Sequence, residues 1–175
     1  MSRVRVHNFS VSLDGFGTGE GQSLEAPFGH AGQRLHEWFF PTRTFCSFHE
    51  TQGDQGGSTG VDDAFASGWD RGIGAEISIE MKGGTTFHFI DASPAEAVKV
   101  AQEAAGGLDV RIGGGPLTIR EFLAADQIDY MHVAIVPLVL GRGERLWDGL
   151  EGLESRFELD SVSSPSGVIH LTLSR

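Results

Sequence analysis

The segment Asp109-Val-Arg-Ile-Gly-Gly-Gly-Pro-Leu-Thr118 has the residue types and the spacing to hold a phosphate. A short β-branched run ends in three glycines, and Pro116 follows where a helix can begin. Glycines let the backbone turn tightly and come close to a ligand with no Cβ in the way. A helix that starts there aims its unpaired N–H groups, and the positive end of its dipole, back at the turn. The stretch therefore reads as a nucleotide-cofactor site. The same glycines also suit a strand that simply needs a tight turn, and spacing alone does not separate the two readings. The dinucleotide fingerprint is not met, because Thr118 stands where that pattern wants a later glycine.

Other chemistries find less support. The seven histidines show no metal-site spacing, and His36-Glu37 lacks a second histidine one helical turn on. No metal is expected. His132 and His88 fall in apparent strands and read as packed or surface strand residues, while His30, His36 and His49 can border a pocket. No Gly-x-Ser-x-Gly elbow occurs, which disfavours a serine hydrolase. Cys46 is the only cysteine, so neither an intramolecular disulfide nor a cysteine metal cluster is available. The formal charge of −11 disfavours nucleic acid as a partner. No apolar run is long enough to span a bilayer, and a cytoplasmic protein is expected.

The elements that must position the glycine turn are legible in outline. At 175 residues the chain is expected to form a single domain over 1–175. Val4 to Leu13 is nearly continuously apolar, as a strand covered on both faces should be. Gln33 to Phe40 has helical spacing before Pro41, Thr42 to Gly60 reads as an exposed loop, and Asp62 to Trp69 as a short helix. Glu76 to Met81 and Thr85 to Ile90 are strand candidates around Gly83-Gly84. Ser93, Pro94 and Glu96 form a helix start with a capping box, Val98, Ala101 and Ala105 its inner stripe, and Gly106-Gly107 its stop. Leu108 to Ile112 and Asp129 to Val136 read as strands on either side of a helix from Pro116. Arg156 to Val162 and Val168 to Leu173 flank a short turn and should pair antiparallel. The expected fold is α/β, a mostly parallel sheet flanked by helices with a C-terminal antiparallel hairpin.

Several segments taken together resemble a known family. Ser12-Leu-Asp-Gly-Phe16 closes the first strand, Val110-Arg-Ile-Gly-Gly-Gly115 precedes a helix, and Asp129-Tyr-Met-His-Val-Ala-Ile-Val-Pro137 runs into Leu138-Val-Leu-Gly-Arg-Gly-Glu-Arg-Leu-Trp147. The order and the motifs are similar to those of the dihydrofolate-reductase-like reductases related to the C-terminal domain of the riboflavin-biosynthesis deaminase–reductase. The resemblance implies a dihydrofolate-reductase-like fold, NADPH as cofactor, a homodimer, and a small heterocyclic or ribose-derived substrate. It implies cofactor contacts at Gly113, Gly114, Gly115, Leu117 and Thr118. It also implies a catalytic role near the active-site mouth for Asp14, which is equally ordinary turn chemistry after a strand. Arg142, in Leu140-Gly-Arg-Gly-Glu144, could meet an anionic group of the substrate or be a plain solvated charge.

One departure stands out. The family pattern has a strand ending in Gly-Arg, then a helix and another strand, ahead of the region matching Gly83. Here Gly72-Ile-Gly-Ala75 passes directly into Glu76-Ile-Ser-Ile-Glu-Met-Lys-Gly-Gly84. Two alternatives to an active NADPH-dependent reductase follow from it: a non-catalytic dimeric relative of the fold, or a binder of another nucleotide cofactor.

Overall fold

The computed structural model describes residues 2–48, 56–68 and 88–175. Strand β1 (Val4–Ser12) leads to β2 (Phe16–Thr18), and helices α1 (Arg43–Phe48) and α2 (Val61–Ala66) follow. Next come α3 (Pro94–Ala104), β3 (Val110–Arg111), α4 (Pro116–Ala124), β4 (Tyr130–Val136) and β5 (Glu144–Arg145). The hairpin β6 (Glu158–Ser163) and β7 (Ile169–Ser174) closes the chain.

Five strands form one sheet in the order β3-β1-β4-β7-β6. β1 lies parallel to both β3 and β4, whereas β7 is antiparallel to β4 and to β6. This is the α/β arrangement expected from the strand–helix–strand rhythm, with its antiparallel hairpin at one edge, and it fits the dihydrofolate-reductase-like fold that the resemblance implies. Side chains alternate across the sheet as the pleat requires. Met131 and Val133 of β4 join Val4, Val6, Val98, Ile119 and Leu123 on the α3/α4 face. Ala134 and Val136 join Phe16, Leu35, Trp38 and Val168 on the other. Each fully buried aliphatic side chain contributes about 1.5–3 kcal/mol.

β1 is not regular. Its pairing with β4 slips by one residue between Val6↔Met131 and Phe9↔Val133. Asn8 takes up the extra residue at φ +56°, a left-handed conformation that asparagine tolerates better than most residues. The bulge turns the remainder of the strand so that Ser10, Val11 and Ser12 are all buried.

The capping box of α3 forms as expected: the Glu96 N–H donates to Ser93 Oγ (3.4 Å), and the Ser93 N–H donates to Glu96 Oε2 (3.0 Å). Val98 is buried, with Ala101 and Ala105 half-buried beside it. Between Leu108 and Ile112 only Val110–Arg111 pair as strand, and the helix expected over Asp62–Trp69 spans Val61–Ala66. Two expectations are corrected. Gln33 to Phe40 is a succession of turns rather than a helix, stitched by bonds such as His36 N–H to Gln33 O (2.8 Å) and Phe39 N–H to His36 O (2.9 Å). Gly32 at φ +53° and Pro41 bound it, while Leu35 and Trp38 still reach the core. The helix forms instead at Arg43, inside the stretch read as loop, where Thr42 Oγ1 accepts the Phe45 N–H (3.2 Å). Asp63 of α2 then accepts from the Thr44 N–H (2.8 Å) and hydroxyl (2.9 Å). The strand candidate Glu76–Met81 and the unusual passage Gly72–Gly84 lie outside the described residues. Of Thr85–Ile90 only 88–90 are described, and these form no strand.

Candidate functional site

The short β3 is pinned in place by carboxylates. Asp109 pairs with Arg5 (2.6 Å) and accepts the Arg3 N–H (2.8 Å), and Asp129 accepts the Val4 N–H (2.8 Å). From this fixed point the chain leaves the sheet through Gly113-Gly114-Gly115 and enters α4. Gly115 is the N-cap residue and no side chain caps the helix. Pro116 has no N–H, so the Leu117 and Thr118 amides are the helix donors left without an intrahelical partner.

The three glycines line a cleft of about 290 Å³ together with the bulge of β1, with Gly17 and Thr18 of β2, and with Phe28 and His36. A Cβ on Gly113 or Gly115 would meet nothing within 4 Å, so the backbone there faces free space. Gly114 differs: its φ is +151°, and a Cβ would come within 2.9 Å of the Thr118 side chain. Gly17 is required for close approach, since a Cβ on it would stand 2.7 Å from Pro116 Cγ and 2.9 Å from the Phe9 ring. β2 and the start of α4 can form opposite walls of one cleft only because that side chain is missing.

Two polar groups in the walls have no partner among the described residues. One end of the Asn8 side-chain amide is buried and unpaired, as is His36 Nδ1. Burial pushes the His36 pKa below its ordinary value, which keeps the ring neutral near pH 7. Unpaired buried polar atoms are costly, and two around one cleft are what a ligand site presents before the ligand arrives. Open glycine backbone, uncapped helix amides and orphaned side-chain groups fit the phosphates and amides of a nucleotide cofactor.

The other expected site residues lie elsewhere. Leu117 is 49% exposed and Thr118 packs on Gly114, and neither residue lines the cleft. Asp14 does not line the glycine cleft. Its carboxylate accepts from the Ser12 hydroxyl (2.6 Å), the Leu140 N–H (3.1 Å) and the Gly141 N–H (2.7 Å), binding the end of β1 to the loop that follows β4. Desolvation raises its pKa, but these hydrogen bonds outweigh that effect and lower it to about 2. Asp14 lines a second hollow of about 340 Å³ with Trp147, Asp148 and Glu151. Arg142 pairs with Glu20 (3.0 Å) and both side chains are largely exposed.

A buried polar chain on the Trp38 side of the sheet was not among the expected site residues. His132 of β4 and His170 of β7 are fully buried, with His132 Nε2 3.0 Å from His170 Nδ1. His170 Nε2 lies 2.8 Å from Asp62 of α2, and His132 Nδ1 meets Asn8. Phe65 stacks on both imidazoles (4.4 Å each), and Trp38 packs edge-on against them while donating to Ser10 Oγ (2.9 Å). The signal was present only as histidines alternating into an apolar strand. The register that joins them comes from the sheet. Among the described residues no group of His, Cys, Asp and Glu is arranged to hold a metal ion, and no helix is long and apolar enough to cross a membrane.

A family model described as the RibD C-terminal domain matches residues 75–171. Among solved structures, a protein from Shewanella sp. PV-4 named for riboflavin biosynthesis aligns over 100% of this chain and 99% of its own, at 17% identity and TM-score 0.52. The diaminohydroxyphosphoribosylaminopyrimidine deaminase/5-amino-6-(5-phosphoribosylamino)uracil reductase of Thermotoga maritima aligns over 99% of this chain and 56% of its own, at 15% identity and TM-score 0.49. Acinetobacter baumannii RibD aligns over 99% and 58%, at 15% identity and TM-score 0.46. The chain thus spans a little over half the length of these last two proteins. At 17% identity the likeness to the Shewanella protein is one of fold. No curated protein matches the chain by sequence.

Proposed function

The chain belongs to the RibD C-terminal domain family, and from that premise we propose that it is an NADPH-dependent reductase acting on a small heterocyclic or ribose-derived substrate. The observation that carries this reading is the convergence on one cleft of open glycine backbone at Gly113 and Gly115, the uncapped start of α4, and the unpaired groups of Asn8 and His36. The cofactor supplies the hydride, and the protein supplies binding, orientation and exclusion of water. The backbone of Gly113–Gly115 and the Leu117 and Thr118 amides grip the phosphates, helped by the helix dipole. Phe9, Phe28, Ile112 and Ile119 give the cleft apolar walls against which a planar ring can lie.

Asp14 serves this reading from outside the cleft, by fixing Leu140 and Gly141 on the loop that follows β4. Arg142, on the same loop, exchanges Glu20 for an anionic group of the substrate. His36, half-buried beside Phe28 and neutral, is the ring on the cleft wall that would exchange a proton with a bound heterocycle. The unusual passage through Gly72–Gly84 supports a second reading, in which the chain keeps the cofactor cleft and no longer turns over.

The deciding experiment is to mix the purified protein with NADPH and a ribosylated aminopyrimidine carrying a reducible carbonyl, then follow the absorbance of the reduced nicotinamide. Steady loss of that signal is the expected result. Cofactor binding without turnover across such substrates selects the non-catalytic reading, and absence of binding removes both.

A further inference from the structure

The buried chain Asn8–His132–His170–Asp62 joins the cleft wall to α2 along the Trp38 side of the sheet. Its hydrogen-bond directions can be assigned, because each end is fixed by a group with only one role. At one end the Asp62 carboxylate accepts, so His170 Nε2 carries the proton and donates to it (2.8 Å). His170 Nδ1 then offers a lone pair, and His132 Nε2–H donates to it (3.0 Å). At the other end the backbone N–H of Asn8 points at His132 Nδ1 (3.2 Å). A backbone N–H only donates, so His132 Nδ1 must be a lone pair. The Asp62 end alone also admits a charged His170 donating from Nδ1; the Asn8 end excludes it by making His132 Nε2 the donor, so both imidazoles are neutral and protonated at Nε2.

Neutrality agrees with the surroundings. Burial, with His170 and His7 nearby, pushes the His132 pKa down to about 3. Burial also lowers that of His170, although Asp62 pulls the other way. The faces of Phe65 and the edge of Trp38 hold both rings in place.

The consequence falls on the Asn8 side chain. The amide end placed as Oδ1 lies 3.0 Å from His132 Nδ1. An oxygen there would oppose lone pair to lone pair, and which end of an amide carries oxygen is decided by its hydrogen bonds. That end is therefore the NH2, donating to Nδ1. The opposite end, buried and without a partner among the described residues, is the carbonyl oxygen, on a residue that lines the cleft. Asn8 as a whole is only 8% exposed.

We propose that Asn8 is a ligand-contact residue whose side-chain carbonyl accepts a hydrogen bond from an N–H donor bound in the cleft, a carboxamide or a ring amine, and that His132, His170 and Asp62 are positioning residues that hold it in that orientation. The proposal rests on the reading of the cleft as a ligand site and deepens it. It also gives a reason for the strained backbone at Asn8. The bulge brings both the amide and the backbone N–H of one residue onto a single imidazole nitrogen.

The test separates the donor from its source. Asn8→Gly keeps the left-handed backbone and the backbone N–H to His132 while removing the amide. Wild type and N8G are titrated with nicotinamide, which bears a carboxamide, with 5-aminouracil, which bears a ring amine, and with 3-acetylpyridine, which has no N–H donor. The expected result is about tenfold weaker binding of one donor probe to N8G, with 3-acetylpyridine unchanged. Loss confined to nicotinamide assigns the contact to the cofactor, and loss confined to 5-aminouracil assigns it to the substrate. Nitrogen-15 NMR of the imidazoles should show both histidines as Nε2–H tautomers in the free protein. Equal affinities in N8G and wild type for both donor probes, failure of both to bind the wild type, or a proton on His132 Nδ1 would overturn the proposal. NADPH titration of the wild type reports separately on the reductase reading. A protein that ignores NADPH yet loses probe binding in N8G keeps this contact and loses that function.

Discussion

Replacing Gly113 by alanine sets stability and binding against each other. The φ of Gly113 lies outside the left-handed region, and an added Cβ meets nothing within 4 Å. An alanine that fits the native backbone stabilises a protein by about 0.4–1 kcal/mol, because the unfolded chain has less freedom to lose. For a chain of this size 1 kcal/mol corresponds to about 2–4 °C, so the melting temperature should hold or rise by about 1–4 °C. The same methyl projects from a backbone we assign to a phosphate. Displacing the phosphate from one amide removes a charged hydrogen bond of about 1.5–3 kcal/mol, which weakens binding roughly 10- to 150-fold. Calorimetric titration with NADPH, beside a thermal melt of the same sample, reads both quantities. Unchanged affinity in a folded G113A protein would refute the assignment of this turn. A marked loss of stability would refute the claim that the Cβ enters free space.

Gly17→Ala should do the opposite to stability, because its Cβ would stand 2.7 Å from Pro116 Cγ. Overpacking of about 1–3 kcal/mol should lower the melting temperature by about 2–12 °C, checked by differential scanning calorimetry, and move the start of α4 enough to weaken cofactor binding. Asp14 has a pKa lowered from 3.8 to about 2. Its contribution to stability is therefore complete above pH 4 and disappears as the pH falls through about 2. In acid titrations, D14N should be less stable than wild type near neutrality and lose less stability between pH 4 and pH 2. Ser93→Ala breaks the capping box of α3 and should cost about 1 kcal/mol in denaturant unfolding, with cofactor affinity unchanged.

Much of the sheet was legible because its signals are local. The capping residues Ser93 and Glu96 and the proline at the start of α4 each act within a few residues and do in the structure what their chemistry suggests, and the glycines after β3 make the turn into α4. Gln33–Phe40 misled because its apolar spacing is helical, yet the segment is governed by Gly32, Pro41 and the separate burial of Leu35 and Trp38. Helix α1 escaped notice because its anchors, Thr44 to Asp63, join residues far apart in sequence. Non-local geometry hid the polar chain too. His132 and His170 are neighbours because Ala134 pairs with His170 in the β4–β7 ladder, and Asn8 reaches them through a bulge that no periodicity reveals. The glycine turn reads in the sequence as a phosphate site or as a plain tight turn. That Asn8 and His36 would share its cleft depended on how the sheet and the 22–36 loop close over it.

The central claim is that this cleft holds a nicotinamide dinucleotide, and NADPH titration of the intact protein, read by thermal melt, tests it most directly. At a hundredfold excess over Kd, binding to the folded state adds about 2.7 kcal/mol, or about 5–11 °C for a chain of this length. A saturable rise of that size is the result the account predicts. A folded protein whose melting temperature stays fixed up to millimolar NADPH would contradict it.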